Sequence, residues 1–348
     1  MNFADTLLAW YEENKRDLPW RNTQNPYLIW LSEIILQQTR VKQGLPYYQK
    51  FVEAYPTLTD LANAPEDEVF RLWQGLGYYS RAKNMLHTAK AILKDYGGGF
   101  PNTFQELLKL KGVGKYTAAA IASFAFGEKV AVLDGNVFRV LARYKGIFTD
   151  IASNQGYKEF FDLAQKMLPK DKEAAYNQAI MEFGALQCTP QKPNCMFCPL
   201  QSSCYAYLHQ AQENLPVKIS KIRNKERFFL YQVFHYEEKI ALRKRRAGDI
   251  WKNLYEFYLL ELQEKKELEN LHNASEIFKH QLTHQTLWVK FAHFRVEQNY
   301  PNNIDANLEW YSIKEVLDLP KPILIAKYLE EYLLKKEQLT LNTNFSRF

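Results

Sequence analysis

The 348-residue sequence contains no apolar run that approaches the roughly 18 to 20 residues needed to span a bilayer. Its N-terminus carries acidic residues and lacks the basic start and the small-residue cleavage site of a secretory signal peptide. Internal repeats and low-complexity tracts are also absent. These absences exclude membrane-spanning, secreted and repeat-built proteins, and they predict a soluble protein of the cytoplasm.

Cysteine is rare as well, and all four copies lie between residues 188 and 204. They follow the spacing C-x6-C-x2-C-x5-C, at Cys188, Cys195, Cys198 and Cys204. Clustered cysteines in a reducing compartment usually bind a metal or do redox work. A structural zinc site usually has two tight C-x2-C pairs, and only one is present here. The spacing therefore favours a 4Fe-4S cluster, which takes one thiolate for each iron, over zinc, disulfides or free thiols.

Length and residue pattern predict two domains, because 348 residues exceed what one core comfortably supports. Residues 1–211 show apolar spacings of three and four residues, typical of helices. Residues 212–226 are polar, basic and without periodicity, which indicates a linker. Residues 227–348 alternate with a period near two before a late helix, which predicts an α+β domain. The net charge of +6 suits a polyanionic partner only weakly.

A glycine-flanked turn lies between two predicted helices in "LLKLKGVGKYTAAAIASFAFG". Gly112 and Gly114 allow a sharp turn and a close backbone approach, and Lys115 opens the second helix. The free amides at the start of that helix form an anion site that suits a DNA phosphate. The alternative is an ordinary helical corner with a glycine cap.

The order of several motifs resembles the adenine glycosylases of the MutY family, helix-hairpin-helix DNA glycosylases with an iron-sulfur loop. The matching stretches are "LLAWYEENKRDLPWR", "YLIWLSEIILQQTRV", "LWQGLGYYSRAKN", "LKGVGKYTAAAI", "LDGNVFRV" and the four cysteines. The resemblance implies an all-helical glycosylase domain with a 4Fe-4S loop, followed by a Nudix-like α+β domain. It implies removal of adenine mispaired with 8-oxoguanine or guanine, with double-stranded DNA as partner and a monomer working at the nucleoid.

Cutting an N-glycosidic bond needs an acid for the leaving base and an anion for the sugar cation. Glu33 lies among apolar residues, where desolvation favours the protonated carboxyl, and Asp134 precedes a helix as a good N-cap. From the residues alone, buried scaffolding and a simple cap are the alternatives. The resemblance makes Glu33 the proton donor and Asp134 the stabiliser of the sugar cation. It also assigns Tyr116 and Asn136 to steadying the aspartate and the flipped nucleotide.

Tyr116 bears on whether the enzyme also cleaves the DNA strand. The resemblance to endonuclease III-like enzymes would place a nucleophilic lysine here, and this chain has a phenol. Lys115 precedes it by one residue, a step that turns a helical side chain by about 100°. A monofunctional glycosylase is therefore expected.

Flipping a base out of the duplex needs wedges and phosphate contacts. The resemblance assigns Gln38, Thr39 and Tyr78 to DNA contact, with Gln38 and Tyr78 as minor-groove wedges. It assigns Arg21 and Gln178 to the adenine pocket. Plain packing is the alternative for Tyr78, an aromatic residue beside a glycine.

The second domain lacks the Gly- and Glu-rich metal-binding helix of working Nudix hydrolases, so no nucleotide hydrolysis is expected. The family's lesion-recognition loop usually reads Phe-Ser-His, and this chain has Leu282, Thr283 and His284 there. Thr283 and His284 keep a hydroxyl and an imidazole for reading 8-oxoguanine, while Leu282 removes the aromatic ring. A polar turn before a strand is the alternative.

Overall fold

The computed structural model describes residues 2–219, 224–246, 249–297 and 304–332. The chain forms two compact units, one from Met1–Asn63 with Asn84–Lys221 and the other from Ala64–Lys83 with Ile222–Phe348. The first is helical and the second combines a mixed sheet with short helices, which confirms the predicted fold class. Residues 220–223 of the predicted linker lie outside the described residues.

In the part of the chain that the structure describes, twelve helices precede the sheet, and they are numbered along the chain. They are α1 (Phe3–Asn14), α2 (Pro26–Leu36), α3 (Val41–Ala54), α4 (Leu58–Asn63), α5 (Glu66–Trp73), α6 (Ser80–Asp95), α7 (Phe104–Leu107), α8 (Lys115–Phe126), α9 (Gly135–Lys145), α10 (Asn154–Met167), α11 (Glu173–Leu186) and α12 (Tyr205–Leu208). Short 3₁₀ turns cover Pro19–Arg21, Cys195–Phe197 and Gln201–Ser203.

Capping residues fix where the helices that carry the candidate site begin. Asn25 accepts from the Tyr27 amide at the start of α2, with Pro26 in the first turn. Asp134 accepts from the Val137 amide at the start of α9. Each side chain satisfies an amide that the helix itself leaves unpaired. The local sequence thus determines the positions of both helix starts.

The core of the first unit joins the beginning of the chain to its later helices. Leu7 and Tyr11 of α1 pack with Val140 and Leu141 of α9 and with other buried side chains. Three of the four cysteines, Cys188, Cys198 and Cys204, pack against the edge of this core. The cysteine loop is therefore an integral part of the helical unit.

Among its described residues, the second unit has seven strands. They are β1 (Lys225–Tyr236), β2 (Lys239–Lys244), β3 (Tyr255–Glu256), β4 (Tyr258–Leu262), β5 (Phe278–Gln281), β6 (Gln285–Arg295) and β7 (Glu309–Ser312), with α13 (Lys265–Glu269), α14 (Ile313–Asp318) and α15 (residues 323–332). The order β3-β2-β1-β6-β5 runs across the sheet, while β4 pairs with β1 and β7 pairs with β2. Strands β1 and β6 are parallel, and the other pairs are antiparallel. The rest of the predicted late helix, beyond residue 332, lies outside the described residues.

Residues 64–83 belong to the second unit although they lie early in the chain. Lys244 pairs with Asp67 at 2.8 Å, and the Asn253 side chain donates to Glu66 at 2.7 Å. These contacts bring α5 and the loop after it beside the sheet.

No helix in the described part of the chain is long and apolar enough to cross a membrane.

Candidate active site

Glu33 lies on α2, whose apolar sequence buries eight consecutive or near-consecutive positions. Its side chain is buried, in agreement with the apolar flanks. Burial raises the pKa of Glu33 to about 7, and the nearby Asp134 adds to the rise, while a hydrogen bond from Tyr116 and the charge of Arg21 act against it. A carboxyl with such a pKa is partly protonated at neutral pH.

Asp134 accepts two short hydrogen bonds at the start of α9. The Val137 amide donates to Oδ1 at 2.7 Å, and the Asn136 side chain donates to Oδ2 at 2.6 Å. Burial raises the pKa of Asp134, and the hydrogen bonds from Val137 and Asn136 oppose that rise. The helix cap was correctly predicted, and in the pKa of Asp134 the effect of desolvation outweighs that of the hydrogen bonds at the helix start.

Asn136 links Asp134 to a buried arginine. Arg139 donates to the Asn136 side-chain oxygen at 2.8 Å and to the main-chain oxygens of Gly184 and Cys188 at 2.6 and 2.7 Å. A Cβ at Gly184 would lie only 2.6 Å from the Cβ of Asn136, so α9 and α11 approach closely at this glycine. Asn136, which orients Asp134, is therefore itself fixed by Arg139, and Arg139 is fixed by the main chain at the end of α11 and the start of the cysteine loop.

Tyr116 lies in the first turn of α8 and hydrogen-bonds Glu33. Burial, together with the charges of Glu33 and Asp134, raises the pKa of Tyr116 well above its ordinary value. The phenol therefore keeps its proton and donates it in this contact.

One pocket of about 190 Å³ collects these groups, and we call it the Glu33 pocket. Seven residues singled out from the sequence line it: Arg21, Glu33, Thr39, Tyr116, Asp134, Asn136 and Gln178. Trp20, Arg16 and Glu182 also line it and were missed. Two carboxyl groups in different surroundings and several polar side chains therefore share one cavity.

Glu182 is the clearest functional candidate that sequence reasoning missed. Arg16 and Arg21 both donate to its carboxylate, at 2.6 and 2.7 Å for the shortest contacts. Burial would raise the pKa of Glu182, but the hydrogen bonds from the two arginines outweigh it and lower the pKa to about 2. The signal was a lone acid in the otherwise apolar "AIMEFGAL" of α11. Gln178, one turn earlier, accepts from the Tyr11 hydroxyl at 2.8 Å.

The glycine turn and Lys115 lie outside the Glu33 pocket. Gly112 has a φ of 78°, and a Cβ there would lie 2.8 Å from Asn84, so only glycine fits without rearrangement. Gly114 is the N-cap of α8 and has open space around it. The Lys115 ammonium lies 4.4 Å from the centre of the Tyr157 ring. It borders a different surface groove that also contains Ser153.

Gln38 and Tyr78 are both exposed, and both have left-handed backbones, with φ of 55° and 48°. Neither lines the Glu33 pocket. Arg81 lies with its guanidinium 5.8 Å from the Tyr78 ring and donates to the oxygens of Leu76 and Gly77. The loop that carries Tyr78 is thus fixed by hydrogen bonds to its main chain.

Thr283 and His284 lie in the hairpin turn between β5 and β6, where the Leu282 amide donates to the Gln285 oxygen at 2.8 Å. The predicted alternative of a turn before a strand describes the backbone correctly. The same residues line a second pocket of about 530 Å³, which we call the Thr283 pocket. It is also lined by Tyr78, Trp251 and His280, and the last two were not anticipated.

The four cysteines line one small cavity between α9, α11 and the loop. Arg143, which is buried, donates to the main-chain oxygens of Thr189 at 2.7 Å, Pro190 at 3.1 Å, and Gln212 and Leu215 at 3.0 Å. Among the described residues, no three His, Cys, Asp or Glu side chains form a group that could hold a metal ion. The cysteines therefore share a space without being gathered around one ion.

The chain resembles known proteins in both sequence and fold. A family model described as HhH-GPD superfamily base excision DNA repair protein matches residues 31–170, and a NUDIX domain model matches residues 230–331. The adenine DNA glycosylase of Buchnera aphidicola subsp. Baizongia pistaciae is 36% identical over 339 residues, which cover 92% of this chain and 94% of the relative. The adenine DNA glycosylase of Mus musculus is 44% identical over 214 residues, which cover 59% of this chain and 42% of that protein.

Two solved structures resemble part of the chain in fold. A thermostable thymine-DNA glycosylase has a TM-score of 0.56 at 35% identity, covering 60% of this chain and 95% of that one. An endonuclease III in a non-covalent DNA complex has a TM-score of 0.53 at 23% identity, covering 60% of this chain and 95% of that one. The second likeness concerns the fold alone.

Proposed function

The chain belongs to the adenine DNA glycosylase family of base-excision repair enzymes, and from this premise we propose that it excises adenine mispaired with 8-oxoguanine or guanine. The proposal includes a monofunctional mechanism, in which the sugar-base bond is hydrolysed and the DNA strand stays intact. The observation that carries it is the meeting of Glu33 and Asp134 in one pocket, two carboxyl groups in different surroundings.

Glu33 is the general acid of this mechanism. Its pKa of about 7 leaves a substantial protonated fraction at neutral pH, so it can protonate the leaving adenine. Asp134 is the fixed anion. Its two hydrogen bonds, from the Val137 amide and the Asn136 side chain, aim and stabilise the carboxylate, which faces the positive charge that develops on the deoxyribose. Two carboxyl groups thus take opposite roles because their contacts differ.

The remaining pocket residues position the nucleotide. Arg21 and Gln178 supply polar groups toward the adenine, and both are themselves held, by Glu182 and by Tyr11. Tyr116 and Asn136 steady Glu33 and Asp134. A site whose polar side chains are already oriented loses little entropy when substrate binds.

Monofunctional chemistry agrees with the position of Lys115. A lyase needs an amine that attacks the sugar carbon, and the Lys115 ammonium lies over the Tyr157 ring instead. Lysine is absent from the described residues that line the Glu33 pocket. Gln38, Thr39 and Tyr78 are assigned to the DNA, with the exposed Gln38 and Tyr78 as wedges and the Gly112–Gly114 turn as a phosphate contact.

We assign a 4Fe-4S cluster to Cys188, Cys195, Cys198 and Cys204. The donor set suits the cluster, because all four thiols line one cavity and can give one thiolate to each iron. Bound there, the cluster would supply a cross-link that fixes the loop. Cys188, Cys198 and Cys204 pack against the core of the helical unit and Cys195 lines the same cavity, so a structural role agrees with their place.

The second unit reads the base opposite adenine through Thr283 and His284 and does not hydrolyse nucleotides. The carboxylates of Asp249, Glu256 and Glu261 are each paired with arginine side chains. Paired carboxylates are poorly placed to bind the magnesium that phosphate hydrolysis requires.

The test uses the purified chain with duplexes that carry adenine opposite 8-oxoguanine, adenine opposite guanine, thymine opposite guanine, thymine glycol, or no lesion. Alkali after the reaction reveals abasic sites. We expect cleavage of the adenine strand of the first two duplexes only, and none before alkali. Excision of thymine, or strand cleavage without alkali, would contradict the substrate or the monofunctional mechanism respectively.

A further inference from the structure

The Thr283 pocket is lined by a tryptophan, Trp251, that has no role in the proposed function. Trp251 lines the pocket together with Thr283 and His284, and its ring centre lies 5.8 Å from that of His280. Leu282, in the same turn, offers no flat surface. Hydroxyl and imidazole groups can read the edge of a base, but they leave its plane free to tilt. A flat ring is what such a pocket needs to fix that plane.

We propose that Trp251 is a specificity-determining residue, whose indole stacks on the base opposite adenine and sets its plane for Thr283 and His284. This inference rests on the proposed reading of 8-oxoguanine by the second unit. Stacking on an aromatic side chain is open to every base, because every base has a π face. Discrimination comes from the hydrogen bonds that the fixed plane makes possible.

The backbone at Trp251 is held in an uncommon conformation. Its φ is 61°, in the left-handed region, which bulky residues rarely adopt. Asn253, two residues later, has a φ of 67°. Such conformations persist only where the surroundings impose them, and they concentrate at ligand-binding positions. The strain is thus an independent reason to look for a function at this loop.

Two anchors impose this conformation. At the start of the loop, Asp249 is paired with Arg227 at 2.7 Å and with Arg245 at 2.5 Å. At its end, the Asn253 side chain donates to Glu66, and the Asn253 amide donates to the Arg245 oxygen at 3.0 Å. The loop is therefore fixed on both sides of Trp251 before any ligand binds, which lowers the entropy lost on binding.

The ring also has support behind it. Trp251 and Leu282 both pack against the core cluster of the second unit that includes Phe229 and Phe291. Trp251 is only partly buried, so part of its surface remains available to the pocket. Lys83 and Lys252 line the same pocket, and their charges suit the phosphates that flank a base. An aromatic surface with nearby cations fits a nucleotide better than an uncharged apolar ligand.

The test replaces Trp251 in the full-length protein and compares single-turnover excision on two duplexes, adenine opposite 8-oxoguanine and adenine opposite guanine. Trp251→Leu removes the ring, Trp251→Met keeps a large apolar side chain against the core, and Trp251→Phe keeps a ring. Trp288→Leu is the matched control, because Trp288 is a partly buried tryptophan of the same unit that does not line the pocket. Each protein is first checked for a cooperative melting transition.

We expect Trp251→Leu and Trp251→Met to lower the preference for 8-oxoguanine over guanine by about tenfold, while Trp251→Phe and Trp288→Leu leave it within about twofold. In a protein that already carries Thr283→Ala and His284→Ala, Trp251→Met should change the preference little further. The groups that would hydrogen-bond the oriented base are then absent, so orienting the base gives no discrimination. An unchanged preference in Trp251→Met, or an equal fall on both duplexes, overturns the inference. If the unmodified protein itself shows no preference for 8-oxoguanine, the proposed function of the second unit has failed instead.

Discussion

The hydrogen bond from Tyr116 to Glu33 predicts how excision should depend on pH. The phenol donates to the carboxylate and so stabilises the charged form of Glu33 against the effect of burial. Tyr116→Phe keeps the ring and removes only that donor. The carboxylate then loses a partner while its burial stays, so the pKa of Glu33 must rise above its present value of about 7.

The size of the shift follows from the strength of such a bond. A hydrogen bond to a charged group contributes roughly 1.5 to 3 kcal/mol, and about 1.4 kcal/mol corresponds to one pH unit. Arg21 remains and its charge favours the carboxylate, so we take the lower end of that range. The pKa of Glu33 should therefore rise by about one unit.

Single-turnover excision of adenine opposite 8-oxoguanine, measured from neutral to alkaline pH, gives the readout. Since the protonated carboxyl is the active form, the rate should fall above its pKa by up to tenfold per unit. The falling limb should be centred near pH 7 in the unmodified protein and near about pH 8 in Tyr116→Phe, even if the plateau rate is lower. Tyr27→Phe is the control, since the buried Tyr27 hydroxyl donates to the Tyr55 oxygen and does not border the pocket. A limb that stays in place, or moves to lower pH, would refute both the hydrogen bond and the acid role of Glu33.

Four further predictions follow from the same structure. Because the folded-state pKa of Glu33 is raised, the stability that its protonation contributes is fully present below about pH 4.5 and is lost as the pH rises through about 7. Glu33→Gln should therefore raise the free energy of unfolding in urea by ~2 kcal/mol more at about pH 8 than at about pH 5. An equal effect at both pH values would contradict the raised pKa. Asp134→Asn can still accept the Val137 amide but has no charge, so duplex binding should persist while the single-turnover rate falls about a hundredfold or more, and a rate near that of the unmodified enzyme would remove Asp134 from the mechanism. Cys198→Ser should lower iron from about four per chain and lower the melting temperature, whereas stoichiometric zinc in anaerobically purified, colourless protein would exclude the cluster. Borohydride should trap little covalent protein-DNA adduct, and efficient trapping abolished by Lys115→Ala would show that the amine reaches the sugar.

The sequence was sufficient for features encoded by neighbouring residues. The burial of Glu33 follows from the apolar positions around it on α2, and the cap at Asp134 follows from an acid placed before a helix. The cysteine spacing likewise indicates convergence, and all four line one cavity. In each case the signal lies within about one helical turn or one loop.

Features that depend on distant parts of the chain were missed. Arg16 and Glu182 meet across 166 residues, so neither position alone indicates a buried ion pair. The same reason applies to residues 64–83, whose grouping with the sheet unit depends on contacts such as that between Glu66 and Asn253.

The hydrogen bonds of Arg143 determine which substitutions the cysteine loop can tolerate. Its guanidinium holds the main-chain oxygens of Thr189, Pro190, Gln212 and Leu215, none of which depends on side-chain identity. Substitutions that keep the backbone path at Thr189 or Gln212 therefore leave every one of these bonds intact. Lysine at position 143 has a single nitrogen and cannot reproduce a planar fork that serves separate segments at once. Apart from the four cysteines, the loop can therefore vary in side chain, while the arginine that binds its backbone and also donates to the Cys188 sulfur must be kept.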